Sequence, residues 1–548
     1  MGDGVYQTVW QRSIALSRLR NHFNSDFFTA TAGSFDRYHW GWKKRDFPDA
    51  TLAYAIVPLM KAATLFDEDE SERLDQVVSN LLDLVHKDAS FDQVYPFERH
   101  PKAALDITTV FALALKKQDC PRLRSLYTRI MDYSLKREEG YGVICNHLAH
   151  HAYEYLVAAE ILNEERFLRK AEDLITVIFK NTVIGEGWHL EYLGADPGYQ
   201  TRSLRYLTKC LAYLKGDAAL ICEELCHISA SFLDRVVLPD GTLYAAFGSR
   251  NTILLYPSGI EFMAIRNPSA FSSLAARVRR SIKNSLIIEP LALEFDNFIR
   301  IFDDFLDADD LVGLASQSDI QYLRPKPFYL PEYGLECRHV GDLDVFVHRR
   351  YGGAIAVYCG EKCLSRNAGL LIETDNGRFF GSRNIVELAQ SKSDLNSIEI
   401  STYLFPSIHH EMTPVKHLIL RLLNLTVLRF GFFADLFRGI LVRQMVTGKK
   451  HKDHGELIRI LRFEESGNGK VEIEDCLSGL LNIKNVWRAL NLNLFHMASS
   501  RYCYPIELGF KSFLVEKKRS CDKNSQICFS YKTNSDNVNS VEKSNTFL

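Results

Sequence analysis

Asn146 and His147 open one amphipathic segment of this chain and Tyr199 opens another, and a glycine-containing turn precedes each opening. The stretches read Gly142-Val-Ile-Cys-Asn146-His147-Leu-Ala-His150-His151 and Glu186-Gly187-Trp188-His189-Leu-Glu191-Tyr192-Leu-Gly194-Ala-Asp196-Pro197-Gly198-Tyr199-Gln-Thr-Arg202. Helix N-termini offer unsatisfied N–H groups and the positive end of the helix dipole. An amide, an imidazole and a phenol gathered there suit an anionic substrate. Arg202 shares a helix face with Tyr199 at a spacing of three residues and supplies a cation. Asn146 is also the natural N-cap of a helix beginning at His147, while His150 and His151 read as structural histidines. Glu186 and Glu191 are a second option, since paired carboxylates can hydrolyse a glycosidic bond.

Further candidates lie outside these stretches. Trp40, Trp42 and Lys43, with Phe35, Tyr38, Arg37, His39, Lys44 and Arg45, could stack on sugar rings and hold carboxylates, or could pack an N-terminal segment on the helices. Arg250, in Gly248-Ser-Arg250-Asn251-Thr252, and His409, in His409-His410-Glu411, are candidates to reach the same cleft. Cys222/Cys226-His227 and Cys359/Cys363 are spaced CxxxC without a second pair at a familiar zinc spacing, so no metal site is assigned.

The elements that must position these groups follow from periodicity. Helical patterns are expected at 49–66, 72–87, 103–117, 121–137, 147–162, 164–180, 198–215 and 217–236, separated by short polar breaks. Consecutive hairpins of this length predict antiparallel helical pairs curling into a toroid. Short mixed segments follow to about residue 325, with the acidic run Asp303-Asp304-Phe-Leu-Asp307-Ala-Asp309-Asp310 expected to be a solvated face or loop. From about residue 333 the period approaches two, and Asn376-Gly377 is a hairpin signal, so the C-terminal third is a β-sandwich candidate. The fold class expected is α+β multidomain: an N-terminal (α/α) toroid over 1–325, an antiparallel β-sandwich over 326–515, and a disordered tail over 516–548.

Composition narrows the function. The chain has 548 residues, 46% hydrophobic and 24% charged, with 66 Lys and Arg against 68 Asp and Glu. This balance lacks the basic footprint of a nucleic-acid binder. No apolar run is long enough to span a membrane. The twelve scattered cysteines fit reduced thiols, and no secretory pattern opens the chain, so a cytoplasmic location is expected.

Asn146-His147 followed by Glu186-Gly187-Trp188 through Tyr192, with Tyr199 some fifty residues after the pair, resembles the heparinase II/III-like polysaccharide lyases and their alginate-lyase relatives. The resemblance implies Tyr199 as base and acid, with Asn146 and His147 neutralising a uronate carboxylate while the C5 proton leaves. It implies Trp40, Trp42, Lys43, Glu186, Tyr192, Arg202, Arg250 and His409 as substrate-binding residues, and a uronate-containing poly- or oligosaccharide as partner. No cofactor is demanded by that chemistry. Relatives are usually exported, so the missing secretory pattern leaves an imported oligosaccharide, a cytosolic polymer or a role in synthesis. A uronate C5-epimerase, a toroid glycoside hydrolase and a non-catalytic carbohydrate-binding protein therefore stay open, as does the oligomeric state.

Overall fold

The computed structural model describes residues 4–26, 29, 31–35, 49–93, 95–99, 101–137, 143–287, 289–314, 322–382, 389–406, 413–430, 432–433, 436–437, 440, 455–479, 483–489 and 527–534. The helices expected from periodicity form close to their expected bounds. After α1 (Val9–His22), which was not among them, they are α2 (Ile56–Thr64), α3 (Ser71–Leu84), α4 (Pro101–Asp106), α5 (Thr108–Lys117), α6 (Pro121–Leu135), α7 (Cys145–Leu162), α8 (Glu165–Lys180), α9 (Pro197–Cys210) and α10 (Gly216–Val236). Three more follow: α11 (Ser258–Arg266), α12 (Pro268–Lys283) and α13 (Phe295–Leu314). Each buries one stripe; in α8 it is Phe167, Ala171, Leu174, Ile175 and Ile178. Proline at the first turn starts α6, α9 and α12, where a missing N–H costs nothing.

These helices make two layers. In the inner one, α2, α5, α7, α9, α11 and α13 each pack on the next, and α13 returns to α2, closing a ring. Outside it, α1, α3, α6, α8, α10 and α12 pack on inner members. Because inner and outer helices alternate along the chain from α5 onward, these inner helices begin at one end of the ring. Gly259 permits the close approach of α11 to α9, since a Cβ there would lie 2.7 Å from the Arg205 backbone nitrogen.

The acidic run is not a solvated face, apart from exposed Asp310 at its end. Asp303, Asp304 and Asp307 lie on α13 and face the ring interior, where Arg205 of α9 bonds Asp303, sits 3.0 Å from Asp304 and reaches Asp307 at 3.1 Å. Lys61 of α2 pairs with Asp303 at 2.6 Å and Lys209 with Asp307 at 2.7 Å. Asp304 also accepts the Ser258 backbone N–H at the start of α11. A helix-periodic acidic stripe carries no mark of what faces it, which is why the sequence suggested water instead of cations.

Two short hairpins interrupt the helices: β1 (Asp92–Gln93) with β2 (Tyr95–Arg99), and β3 (Thr182–Val183) with β4 (Trp188–His189). Most of the described residues after α13 form antiparallel sheet. One five-stranded sheet contains β5 (Phe328–Leu330), β6 (Leu335–Val340), β7 (Leu343–His348), β8 (Ala354–Cys359) and β9 (Lys362–Asn367) in sequence order. Then come β10 (Gly369–Thr374), β11 (Phe379–Gly381), β12 (Gln390–Ser393), β13 (Ser397–Tyr403), β14 (Phe405–Pro406), the helix α14 (Pro414–Leu425), β15 (Glu456–Glu464), β16 (Lys470–Ser478), β17 (Ile483–Ala489) and β18 (Ile527–Asn534). They form sheets ordered β12-β13-β15-β16-β18 and β14-β11-β10-β17. The two five-stranded sheets share a core of Val345, Val347, Ile355 and Val357 against Ile398, Ile400, Leu461 and Ile473. The opposite face of β7 and β8, with Phe346, Ala356 and Tyr358, joins the helical core. Sheet residues buried on both faces explain the near-continuous apolar runs there.

Two expectations need correction. Residues 527–534 are not a disordered tail but pair along β16, and Cys476 of β16, opposite Cys528 in that register, is disulfide-bonded instead of being a free thiol.

Replacing Arg205 with Met strands the buried carboxylates of Asp303 and Asp304. The expected cost is about 3–5 kcal/mol, the usual result of removing one partner from a buried charge cluster, read as a lower urea midpoint. Despite burial, the Lys61, Arg205 and Lys209 cations hold the Asp303 carboxyl well below its usual range. Its contribution is complete above the unfolded value near 3.9 and is lost as pH falls further.

Candidate active site

The segment entering α7 and the segment approaching α9 are stitched together by backbone. Cys145 N–H donates to Leu190 O at 3.2 Å and Tyr192 N–H to Val143 O at 3.1 Å, with Ile144 bridged to Glu191. This brings Asn146 onto Glu191: the Asn146 backbone N–H donates to Oε1 at 2.8 Å, and its Nδ2 donates to Oε2 at 2.7 Å. Asn146 is therefore not the N-cap, a position held by Ile144. Its side chain is instead clamped by a carboxylate, and its Oδ1 has no hydrogen-bond partner among the described residues. Burial pushes the Glu191 carboxyl up to about 8, against the two Asn146 donors that favour its charged form.

Asp196 organises the other half. It N-caps α9 by accepting the Tyr199 N–H at 3.1 Å, and its second oxygen accepts the Arg250 N–H at 2.8 Å. The Arg250 guanidinium lies 4.4 Å from the centre of the Tyr192 ring, and Tyr192 itself has φ +62°, a left-handed conformation that side chains resist. A continuous chain of contacts thus runs from Asn146 through Glu191, Tyr192, Arg250 and Asp196 to Tyr199. His147, half-buried, stacks its ring 6.3 Å from that of His151.

One turn into the ring from Tyr199, Arg202 is 6% exposed. Among the described residues no ion pair includes it, and its Nε and Nη2 have no hydrogen-bond partner. Its neighbours are Tyr206, whose ring centre is 5.9 Å away, and Tyr256 and Arg300. The nearby acid is already engaged: Asp106 pairs with Lys102 at 3.1 Å and with Arg300 at 3.3 Å. Burial pushes the His150 imidazole well down, so it stays neutral where it stacks 4.3 Å from Tyr206. Burial raises the phenols of Tyr206 and Tyr256, the latter to about 12. Tyr192 and Tyr199 are the half-buried phenols at this end.

The structure gives Glu186 a role other than substrate binding or acid catalysis. Its carboxylate accepts the Glu332 N–H at 2.6 Å, the Tyr333 N–H at 2.8 Å and the Trp188 indole N–H at 2.8 Å, tying the helical ring to the start of the sheets. With both oxygens occupied it cannot pair with Glu191 as a glycosidase couple. Trp40, Trp42, Lys43 and His409 lie outside the described residues. Phe35 belongs to the core against Phe23 and Phe295.

Sequence reasoning passed over Asp196, Arg300 and Tyr351. The first was legible, because Asp followed by Pro is a strong helix-start signal. Arg300 carried no local signal. Tyr351 arrives from the turn between β7 and β8, and its phenolic oxygen packs so close on Gly194 that a Cβ there would force the phenol to shift.

The buried Glu191 makes a titration test. Its raised folded-state value means the folded chain holds a proton that the unfolded chain, near 4.3, has released. Stability should therefore fall as pH rises from about 4.3 to about 8. Glu191→Gln should lack that part of the slope when urea midpoints of the two proteins are compared across the interval.

No protein-family model and no curated protein matches the chain. Solved structures resemble it loosely. A xanthan lyase from Paenibacillus shares 10% identity at a TM-score of 0.48, over 88% of this chain and 46% of that one. The chondroitin AC lyase of Streptomyces coelicolor A3 shares 12% identity at 0.49, over 88% and 68%. A cellobiose 2-epimerase from Bacillus thermoamylovorans B4167 shares 9% at 0.38, over 50% and 88%. The chain spans less than half the length of the xanthan lyase.

Proposed function

We propose that this protein is a uronate-polysaccharide lyase of the heparinase II/III-like type, cleaving by β-elimination. The observation that carries the reading is Arg202: a buried guanidinium with two unpartnered N–H-bearing nitrogens, one helical turn from a half-buried phenol. A buried cation without a counter-ion costs several kcal/mol on general grounds, so a substrate carboxylate is the natural complement.

The chemistry follows from the same groups. Removing the proton at C5 of a uronate builds charge on the adjacent carboxylate, and donors aimed at that charge lower the barrier. Asn146 can supply them when Glu191 is protonated: the acid O–H then donates to Oδ1, the amide turns over, and Nδ2 is released to the substrate. His147 stands beside it at the start of α7. Tyr199 takes the C5 proton as phenolate, favoured by the nearby cation, and returns a proton to the departing 4-oxygen. The C5–H and C4–O bonds break, a C4–C5 double bond forms, and no redox partner is needed.

The test is near-ultraviolet absorbance during incubation with heparan-, chondroitin-, hyaluronan- and alginate-type chains. Absorbance should rise with one class, and Tyr199→Phe should lower kcat by about 10²–10⁴. Arg202→Met should mainly raise KM. Activity should fall above about pH 8 as Glu191 ionises, and Glu191→Gln should flatten that limb because its amide still donates to Asn146. New reducing ends without absorbance would overturn the proposal in favour of hydrolysis, and deuterium entering C5 without cleavage would overturn it in favour of epimerisation.

A further inference from the structure

Two neighbours on the loop that leads into α11 carry buried polar groups that nothing among the described residues answers. Asn251 is 2% exposed, and neither its Oδ1 nor its Nδ2 has a hydrogen-bond partner; Thr252 is 3% exposed, and its hydroxyl has none either. Asn251 takes a left-handed φ of +55°, which asparagine tolerates better than most residues, but an exposed asparagine would serve that turn as well. The backbone on both sides is pinned, because Asp196 accepts the Arg250 N–H at 2.8 Å and the Thr252 N–H at 3.4 Å. An amide sealed from water with both ends unbonded costs free energy that a ligand can recover.

The loop lies along the face of α9 that bears Arg202. Gly198 and Arg202 stand four residues apart on that helix and so share a face. A Cβ on Gly198 would come within 2.6 Å of the Thr252 methyl and 2.8 Å of the Leu254 carbonyl oxygen, so the loop takes the space a side chain there would fill. Farther along, the Tyr256 N–H donates to the Thr201 hydroxyl at 3.0 Å. Thr252 and Asn251 are thus stationed one helical turn ahead of Arg202, at the turn of α9 that carries Tyr199. A guanidinium followed by a neutral amide and a hydroxyl suits one sugar ring with a carboxylate at one end and hydroxyls beyond it. A hydroxyl both donates and accepts, and so answers both ends of an amide; a sulfate ester only accepts, leaves Oδ1 unanswered, and adds a charge that the neutral pair does not match. We propose that Asn251 and Thr252 bind unsubstituted hydroxyls of the uronate whose carboxylate Arg202 takes, which restricts the protein to chains whose uronate hydroxyls are free of sulfate. This rests on the reading of Arg202 as the partner of a substrate carboxylate.

The experiment is calorimetric titration of the full chain with a chondroitin-type oligosaccharide and with its counterpart sulfated at the uronate 2-oxygen, in the Tyr199→Phe background so that binding is read without turnover. The unsulfated chain should bind roughly tenfold tighter or better. Asn251→Gly removes the amide and keeps the left-handed backbone, while Thr252→Val keeps the methyl on Gly198 and removes the hydroxyl. Each should weaken the unsulfated chain about fivefold to tenfold and leave the sulfated one nearly unchanged. The thermal midpoint of free Thr252→Val should hold or rise, since an unanswered hydroxyl is lost. Binding of neither chain, equal affinity for both, or variants that keep full affinity for the unsulfated chain would overturn the proposal. So would a Thr252→Val midpoint that falls while binding stays, which would make the hydroxyl a part of the fold alone. Absorbance with the unsubstituted Tyr199 separates this subsite from the lyase reading: selective binding without any rise removes the lyase and keeps the subsite, whereas a rise that Asn251→Gly leaves untouched keeps the lyase and removes the subsite.

Discussion

One guanidinium holds the helical ring shut. Arg205 projects from α9 onto Asp303, Asp304 and Asp307 of α13, while Lys61 brings in α2 and Ser258 brings in the start of α11. Four of the six inner helices are thereby fixed against one another by charge, in an interior where each partner needs the others. The same helix carries Tyr199 and Arg202 on successive turns ahead of Arg205. The position of the reactive end of α9 is therefore set by the ion cluster farther along it.

That division of labour runs along α9. Arg205 pairs with three carboxylates, whereas Arg202, three residues earlier, forms no ion pair among the described residues. Two arginines on one helix thus have opposite electrostatic situations, one structural and one available. The acids distribute in the same way. Glu186 and Asp196 are spent on backbone and indole N–H groups, and Asp240 receives Tyr358 at 3.0 Å and Arg366 at 2.9 Å across the joint between helices and sheets. Glu191 alone among them touches the side chain of Asn146 and has its carboxyl pushed up to about 8.

What the sequence made legible was what local physics writes into it. The 3.6-residue periodicity located the helices between residues 49 and 236, Asn376-Gly377 marked the turn where Gly377 has φ +73°, and the glycine-containing turns before Asn146 and Tyr199 placed both at helix starts. What stayed hidden was partnership across the fold. The acidic run on α13 looks the same whether it meets water or Arg205. Asn146 has the composition of a cap but was claimed by a carboxylate forty-five residues away. Glu186 looked catalytic because its three donors, two of them from residues 332 and 333, are distant or unremarkable in the sequence. The strand at 527–534 was missed because polar Lys, Ser and Asn dominate the surrounding composition, and only its pairing with β16 reveals it.

That last strand has a consequence for how the chain must be handled. β16 runs for nine residues, Lys470–Ser478, with β15 on one side and β18 on the other, so every ladder position from Lys470 to Leu477 on its outer edge is filled by residues 527–534. A protein cut before residue 527 would present that edge bare, a long flat row of open N–H and C=O groups able to recruit a strand from another molecule. The polar-looking C-terminal segment is thus, among the described residues, the end strand of its sheet, with Lys532 exposed on it, and shortening it would move the open edge inward onto β16.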